Sequence, residues 1–184
     1  MADRNLTLMT DLYQLTMMQG YFKENKNNRV IFDMFFRTNP CNGGYAVNAG
    51  LEQVIDYIKN LRFSAEDIDY LRSTHLFEED FLAYLSGFKF TGDIYAIPEG
   101  TVVFPQEPLV KVIAPAIEAQ LIETTILNII NHQCLIATKA ARVVYAAKGD
   151  GIMEFGLRRA QGPDAGIYGA RAAMIAGCIG TSNV

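Results

Sequence analysis

The run Glu154-Phe155-Gly156-Leu157-Arg158-Arg159-Ala160-Gln161-Gly162-Pro163-Asp164 decides how this chain is read. Asp150-Gly151 is a turn, and Ile152-Met153-Glu154-Phe155 behind it reads as a buried strand. A glycine-rich loop and a short Ala-rich helix follow, with Gly177 as the stop. The run therefore predicts a parallel strand that ends in two arginines. The C-terminal ends of strands are where α/β folds hold their ligands. Gly156 and Gly162 allow backbone to approach a ligand closely. Arginine presents a planar fork that matches phosphate oxygens two at a time. Together these features suit a phosphate or pyrophosphate ester, although Arg-Arg beside glycines, taken alone, is equally the mark of a solvated loop.

Upstream of that run, Ala116–Lys148 contains neither Pro nor Gly, and Gly149 closes it. It predicts one long helical stretch, with room for a break, whose first turn Pro115 suits. The dense apolar set Ile117, Leu121, Ile122, Ile126, Leu127, Ile129 and Ile130 predicts packing on several sides. Before it, the runs Asp93–Ile97, Thr101–Phe104 and Leu109–Ile113 are separated by proline turns and predict a small antiparallel β module.

Nearer the N-terminus, a helix over about 49–60 places Leu51, Val54, Ile55 and Ile58 on one stripe. Ser64 with Asp67 forms a capping box ahead of a short helix that buries Ile68 and Leu71. Another helix covers about 78–86 and stops at Gly87. Val30–Phe36 reads as a strand with apolar bulk on both faces, so both faces are expected to be covered. In Thr10-Asp11-Leu12-Tyr13-Gln14, Thr10 is the expected cap of a first helix carrying Leu12, Leu15, Met18 and Phe22 at helical spacing.

Composition narrows the class. The 184 residues are 50% hydrophobic and 20% charged, enough to bury a core. A net charge of −4 gives no global attraction to nucleic acid or an anionic membrane. No apolar run is long enough to span a bilayer, and the polar start lacks the pattern of a secretory signal. Cys41, Cys134 and Cys178 are dispersed and odd in number, which argues against a disulfide framework or a zinc cage. A reducing cytoplasm is the expected location. His75 and His132 are read as a surface residue and a satisfied helix residue.

The two outer segments, taken together, carry more than either alone. Leu8-Met9-Thr10-Asp11-Leu12-Tyr13-Gln14, Phe35-Phe36-Arg37, Gly43-Gly44, Pro98-Glu99-Gly100, the 154–164 run and Gly180-Thr181-Ser182-Asn183-Val184 resemble nicotinate phosphoribosyltransferase along the whole chain. That resemblance implies a type II phosphoribosyltransferase fold, incomplete here: an α+β N-terminal domain over 1–149, leading into the first strand and helix of an irregular α/β barrel over 150–184. It implies synthesis of nicotinate mononucleotide from nicotinate and 5-phosphoribosyl-1-pyrophosphate, coupled to ATP hydrolysis, with Mg²⁺ on the pyrophosphate. It also implies a homodimer whose sites draw on both subunits. Tyr13 then corresponds to the tyrosine that stacks on the pyridine ring from the neighbouring subunit, Asp11 to its helix-start companion in the base pocket, and Phe155 to a residue on the ring's other face. Arg158 corresponds to the arginine that meets the phosphates of the phosphoribosyl substrate, with Arg159 assisting.

The family's phosphorylated histidine lies in a Gly-Thr-x-Ala-His motif, and neither His75 nor His132 has that context. The expectation is therefore an N-terminal part of a longer enzyme, inactive by itself. Two alternatives stand beside it. One is nicotinamide phosphoribosyltransferase, although the 157–164 wording favours the nicotinate enzyme. The other is a non-catalytic interaction module.

Overall fold

The structure, a computed structural model, describes residues 5–184. Among them the chain divides into two compact units that interleave in sequence. The first unit comprises residues up to Phe32 together with Val54–Tyr95 and Lys111–Leu127. The second comprises Asp33–Gln53, Ala96–Val110 and Asn128–Val184.

The first unit is mainly helical. Helix α1 (Leu12–Lys23) is capped by Asp11, whose extended backbone (φ −80°, ψ 144°) precedes it. Thr10 was the residue expected to cap. The capping box forms between Asp11 and Gln14 instead, one residue later, because glutamine at the third helical position can reach back to the Asp11 N–H. Leu15 and Met18 are buried, whereas Leu12 is exposed. Strand β1 (Arg29–Met34) follows. Its expected two-sided cover is not found among the described residues, since Ile31, Phe32 and Phe35 are exposed. It lies at the edge of a three-stranded sheet.

Helix α2 (Leu51–Lys59) buries Val54 of the expected stripe together with Tyr57, keeps Leu51 and Ile58 half-buried, and turns Ile55 outward. Tyrosine has a large apolar body, so it takes the inner position three residues after Val54. Burial pushes its phenol up to about 12, with Thr125 drawing it the other way. Helix α3 (Ala65–Ser73) starts at the expected capping box. Ser64 Oγ accepts from the Asp67 N–H at 3.1 Å, and the Asp67 carboxylate accepts from the Ser64 N–H at 2.8 Å. Helix α4 (Glu79–Ser86) stops at Gly87. Phe81 is fully buried, with its ring centroid 5.7 Å from Phe22, 6.0 Å from Phe77 and 6.3 Å from Tyr84.

The expected β module does not form as one sheet. Strands β3 (Asp93–Ala96) and β5 (Val110–Pro115) join β1 in the order β1-β5-β3. Strand β4 (Val102–Val103) pairs antiparallel with β2 (Ala46–Val47) in the second unit, Ala46 opposite Val103 and Val47 opposite Val102. Pro115 ends β5 instead of starting the helix that follows. Helix α5 (Ala116–Ala146) then runs 31 residues without a break, and Gly149 follows at φ 104°. Its residues as far as Leu127 belong to the first unit and the remainder to the second.

In the second unit, small residues set the core. Val47, Ala49, Ala137 and Ala172 pack together, flanked by Tyr45, Ala141, Ile175 and Ala176. Gly50, at φ 106°, opens α2. A Cβ there would lie 3.1 Å from the Ile129 carbonyl and 3.2 Å from the Ile130 Cα. The position therefore needs glycine for both conformation and space. Strand β6 (Met153–Glu154) pairs in parallel with β7 (Gly180–Thr181), and helix α6 (Pro163–Ile175) connects them. The parallel strand is as expected. Its burial is not, because Met153 and Phe155 are exposed in a two-stranded sheet.

Candidate functional site

The residues singled out in the sequence fall into two clusters, one in each unit. In the first unit, Asp11 and Tyr13 stand at the start of α1. Asp11 is exposed, and Tyr13 is half exposed at 53%. The nearby Glu123 carboxylate, partial desolvation and Asp11, in that order, raise the Tyr13 phenol above its ordinary value. The ring is thus offered as a neutral aromatic surface at the working pH of most enzymes.

What holds this helix start is Gln14, which is completely buried. Its Nε2 donates to Glu123 Oε2 at 3.0 Å. Its Oε1 accepts from the Thr10 hydroxyl, from Thr124 Oγ1 at 2.7 Å and from the Asp11 N–H at 3.4 Å. Thr125 Oγ1 donates to the Met9 carbonyl at 2.7 Å and fixes the approach to the helix. Gln120, Glu123 and Thr124 lie three and four residues apart, so they share the face of α5 that meets this turn. Gln14 is not among the residues that sequence alone singles out for the site. The signal was present, since Asp11-x-x-Gln14 is a capping-box pattern.

In the second unit, Phe155, Arg158 and Arg159 cluster after β6. Phe155 is 60% exposed, and both arginines lie in a 3₁₀ turn over Leu157–Arg159. Both guanidinium groups are exposed, and neither has an ion pair or side-chain hydrogen bond among the described residues. Glu154 shapes the turn. Its carboxylate accepts from the Gly156 N–H and from Thr181 Oγ1 at 2.8 Å, while its carbonyl accepts from the Ser182 N–H at 3.0 Å. A Cβ on Gly156 would stand 2.6 Å from Glu154 Oε1, so glycine lets the Glu154 carboxylate fold back over the turn. Gly166 likewise lets α6 lie against Leu157, whose Cδ1 would be 2.5 Å from a Cβ. That contact places the N-terminus of α6, behind Gly162 and Pro163, beside the two arginines. A helix N-terminus adds a favourable partial charge for an anion.

A third cluster was not foreseen. Glu99, from the quoted Pro98-Glu99-Gly100, accepts from the N–H groups of Gly50 at 2.6 Å and Leu51 at 3.0 Å at the start of α2. Arg171 of α6 grips the same carboxylate and also meets Glu52. This pairing is non-local and leaves no pattern in the sequence. His132 Nε2 lies 3.4 Å from the Ala165 carbonyl, as expected of a satisfied helix residue, and His75 is exposed. Burial pushes the Cys134 thiol up to about 11, against a hydrogen bond from the Ala49 N–H, which leaves the thiol inert. Among the described residues no group of three His, Cys, Asp or Glu side chains could hold a metal, and no helix is long and apolar enough to cross a membrane.

Comparison with solved structures gives the class. The crystal structure of human nicotinic acid phosphoribosyltransferase matches 95% of this chain and 36% of its own, with a TM-score of 0.87 and 34% identity. A nicotinate-nucleotide pyrophosphorylase structure from Pyrococcus furiosus matches all of this chain and 40% of its own, with a TM-score of 0.79 and 25% identity. The fold is thus the α+β arrangement of such phosphoribosyltransferase structures.

The family follows from sequence. Residues 8–131 match the model of the nicotinate phosphoribosyltransferase N-terminal domain. The nicotinate phosphoribosyltransferase pncB2 of Mycobacterium tuberculosis is 49% identical over 177 residues, 96% of this chain and 38% of that protein. The nicotinate phosphoribosyltransferase of Bacillus subtilis is 49% identical over 183 residues, 99% of this chain and 37% of that protein. The chain belongs to the nicotinate phosphoribosyltransferase family. It spans under two-fifths of the length of these relatives.

Proposed function

We propose that this chain is the N-terminal part of a nicotinate phosphoribosyltransferase, which makes nicotinate mononucleotide and pyrophosphate from nicotinate and 5-phosphoribosyl-1-pyrophosphate in NAD salvage. Residues 1–149 are its N-terminal domain, and 150–184 begin an irregular α/β barrel of the type II phosphoribosyltransferase kind. ATP is the co-substrate whose hydrolysis drives the synthesis. The enzyme works as a cytoplasmic homodimer with shared sites.

In this reading the exposed ring of Tyr13 stacks on the flat pyridine of nicotinate, and Asp11 shapes the same pocket. Phe155, far from them in sequence, covers the ring's other face in the site to which the neighbouring subunit brings its Tyr13. Arg158 grips the phosphates, with Arg159 beside it. Mg²⁺ would arrive with the pyrophosphate, since this ion keeps several waters and leans on substrate phosphates more than on a protein cage. Transfer at the anomeric carbon builds positive charge on the ribose while pyrophosphate departs as an anion. Fixed cations at the leaving group favour that change.

The observation that carries the reading is the state of Arg158 in a chain of this family. Its guanidinium is exposed, uncommitted among the described residues, and mounted at the exit of a parallel strand beside a helix N-terminus. A surface arginine with no protein partner, held on a turn that Glu154 and Gly156 build, suits an anionic ligand.

The test is to supply the longer enzyme with 5-phosphoribosyl-1-pyrophosphate, Mg²⁺ and either nicotinate or nicotinamide, with and without ATP. The reading expects nicotinate mononucleotide, ATP consumption and no comparable use of nicotinamide. Preference for nicotinamide, or no product, would overturn it. Residues 1–184 by themselves are expected to give no turnover, because neither histidine lies in the family's phosphorylation motif.

A further inference from the structure

Thr124 has one proton and two acceptors within reach. Its Oγ1 lies 2.7 Å from Gln14 Oε1 and 3.1 Å from Asp11 Oδ2. The orientation of the Gln14 amide is fixed by its far side, because Glu123 is an acceptor and must face Nε2. Oε1 therefore points at Thr10, Thr124 and the Asp11 N–H together. The single Thr124 proton is shared between Gln14 Oε1, the nearer acceptor, and Asp11 Oδ2. The Asp11 side chain is exposed and also accepts from the Gln14 N–H in the capping box, so Thr124 is its second hold at the helix start.

We propose that Thr124 is a positioning residue: its hydroxyl, backed by the buried Gln14 amide, holds the Asp11 carboxylate in the orientation that faces the base beside Tyr13. A hydrogen bond to an ionised carboxylate is stronger than a neutral one. Thr124 itself touches no substrate. It acts through Asp11, from a helix that is anchored independently of the ligand. The inference rests on the reading that Asp11 and Tyr13 shape the nicotinate pocket.

Its test uses the longer enzyme with Thr124→Val, which keeps the shape and removes the hydroxyl, and Thr124→Ala, which removes it with different packing. Both should raise KM for nicotinate about three- to tenfold, the scale of one lost charge-assisted hydrogen bond acting indirectly. KM for 5-phosphoribosyl-1-pyrophosphate should not change. Thr124→Ser, which restores the hydroxyl, should restore the nicotinate KM. In an Asp11→Asn background, Thr124→Val should add little, because the two residues act as a unit.

An unchanged nicotinate KM in Thr124→Val and Thr124→Ala would overturn the inference. So would equal rises in both KM values that serine does not rescue, the mark of a packing role. Tyr13→Ala, measured in parallel, separates the two levels. If it raises the nicotinate KM and the Thr124 variants do not, only the inference fails. If Tyr13→Ala leaves that KM unchanged, the reading of the pocket fails and takes the inference with it.

Discussion

Glu99 and Arg171, 72 residues apart, meet as two forks: Nη1 to Oε1 at 2.8 Å and Nη2 to Oε2 at 2.6 Å. The pair ties the start of α2 to α6 within the second unit, since Glu99 also caps Gly50 and Leu51. Both side chains are largely shielded from solvent, at 19% and 26% exposure. A bidentate pair in that setting is worth more than a surface one. Arg171→Ala should cost about 2–3 kcal/mol, because it strands a partly buried carboxylate. Arg171→Lys should recover only part of this, because lysine lacks the fork. Thermal unfolding of the three proteins checks both expectations.

The same pair sets a pH dependence. Burial by itself would raise the Glu99 carboxyl, but the Arg171 guanidinium and the N–H groups of Gly50 and Leu51 outweigh it and hold the group below its ordinary 4.5. A carboxylate lowered in the folded state stabilises the fold at pH values above the ordinary value. That contribution falls away as the pH drops through the folded value. Wild type should therefore exceed Glu99→Gln in stability by a constant margin at neutral pH. The margin should shrink as the pH falls below 4.5. Urea unfolding of both proteins from pH 7 down to pH 3 reads this directly. A margin that grows with acid would contradict the assignment.

Gly50→Ala should destabilise by about 1–3 kcal/mol, combining strained φ with contact on the α5 backbone. Gly44→Ala is the matched control, since a Cβ there meets nothing within 4 Å. Its effect should stay within about 0.5 kcal/mol. Equal effects at the two positions would contradict both the strained φ and the tight α5 contact at Gly50.

Much of this fold was legible where the signal is local. The Ser64–Asp67 box, the stop at Gly87 and the glycine after α5 depend on neighbouring residues, and each lies where the sequence indicates. The errors arise where a partner far away in sequence decides. Three β-rich runs in succession suggested one sheet, but Val102–Val103 pairs with Ala46–Val47. Ile55 outranks Tyr57 in hydrophobicity, yet the direction of the core relative to α2 chose tyrosine. In the candidate site, the residue types were legible because Arg158, Tyr13 and the glycines have chemistry of their own. Thr124 and Glu154 were not, because a side chain that holds another in place is recognised only by what it touches; Gln14 was legible only as a capping-box residue.

A shared site makes a sharp prediction about mixed dimers. Tyr13→Ala and Arg158→Ala subunits are each expected to be weak at low substrate. If Tyr13 serves the neighbouring subunit, a mixed dimer holds one site with both defects and one site with neither. Mixing should then restore up to half of the wild-type activity per mixed dimer. If mixed dimers form and no activity returns, Tyr13 serves its own subunit.

If Tyr13 handles the base and Arg158 the phosphates, a two-substrate kinetic analysis of the longer enzyme separates the two residues. Tyr13→Ala should raise KM for nicotinate and leave that for 5-phosphoribosyl-1-pyrophosphate near wild type, with Tyr13→Phe mild because the ring does the stacking. Arg158→Ala should do the reverse, raising KM for 5-phosphoribosyl-1-pyrophosphate about ten- to a hundredfold, the worth of a lost charge-assisted contact. If each variant affects both substrates equally, or if Arg158→Ala keeps normal use of 5-phosphoribosyl-1-pyrophosphate, the assignment of the two clusters is wrong.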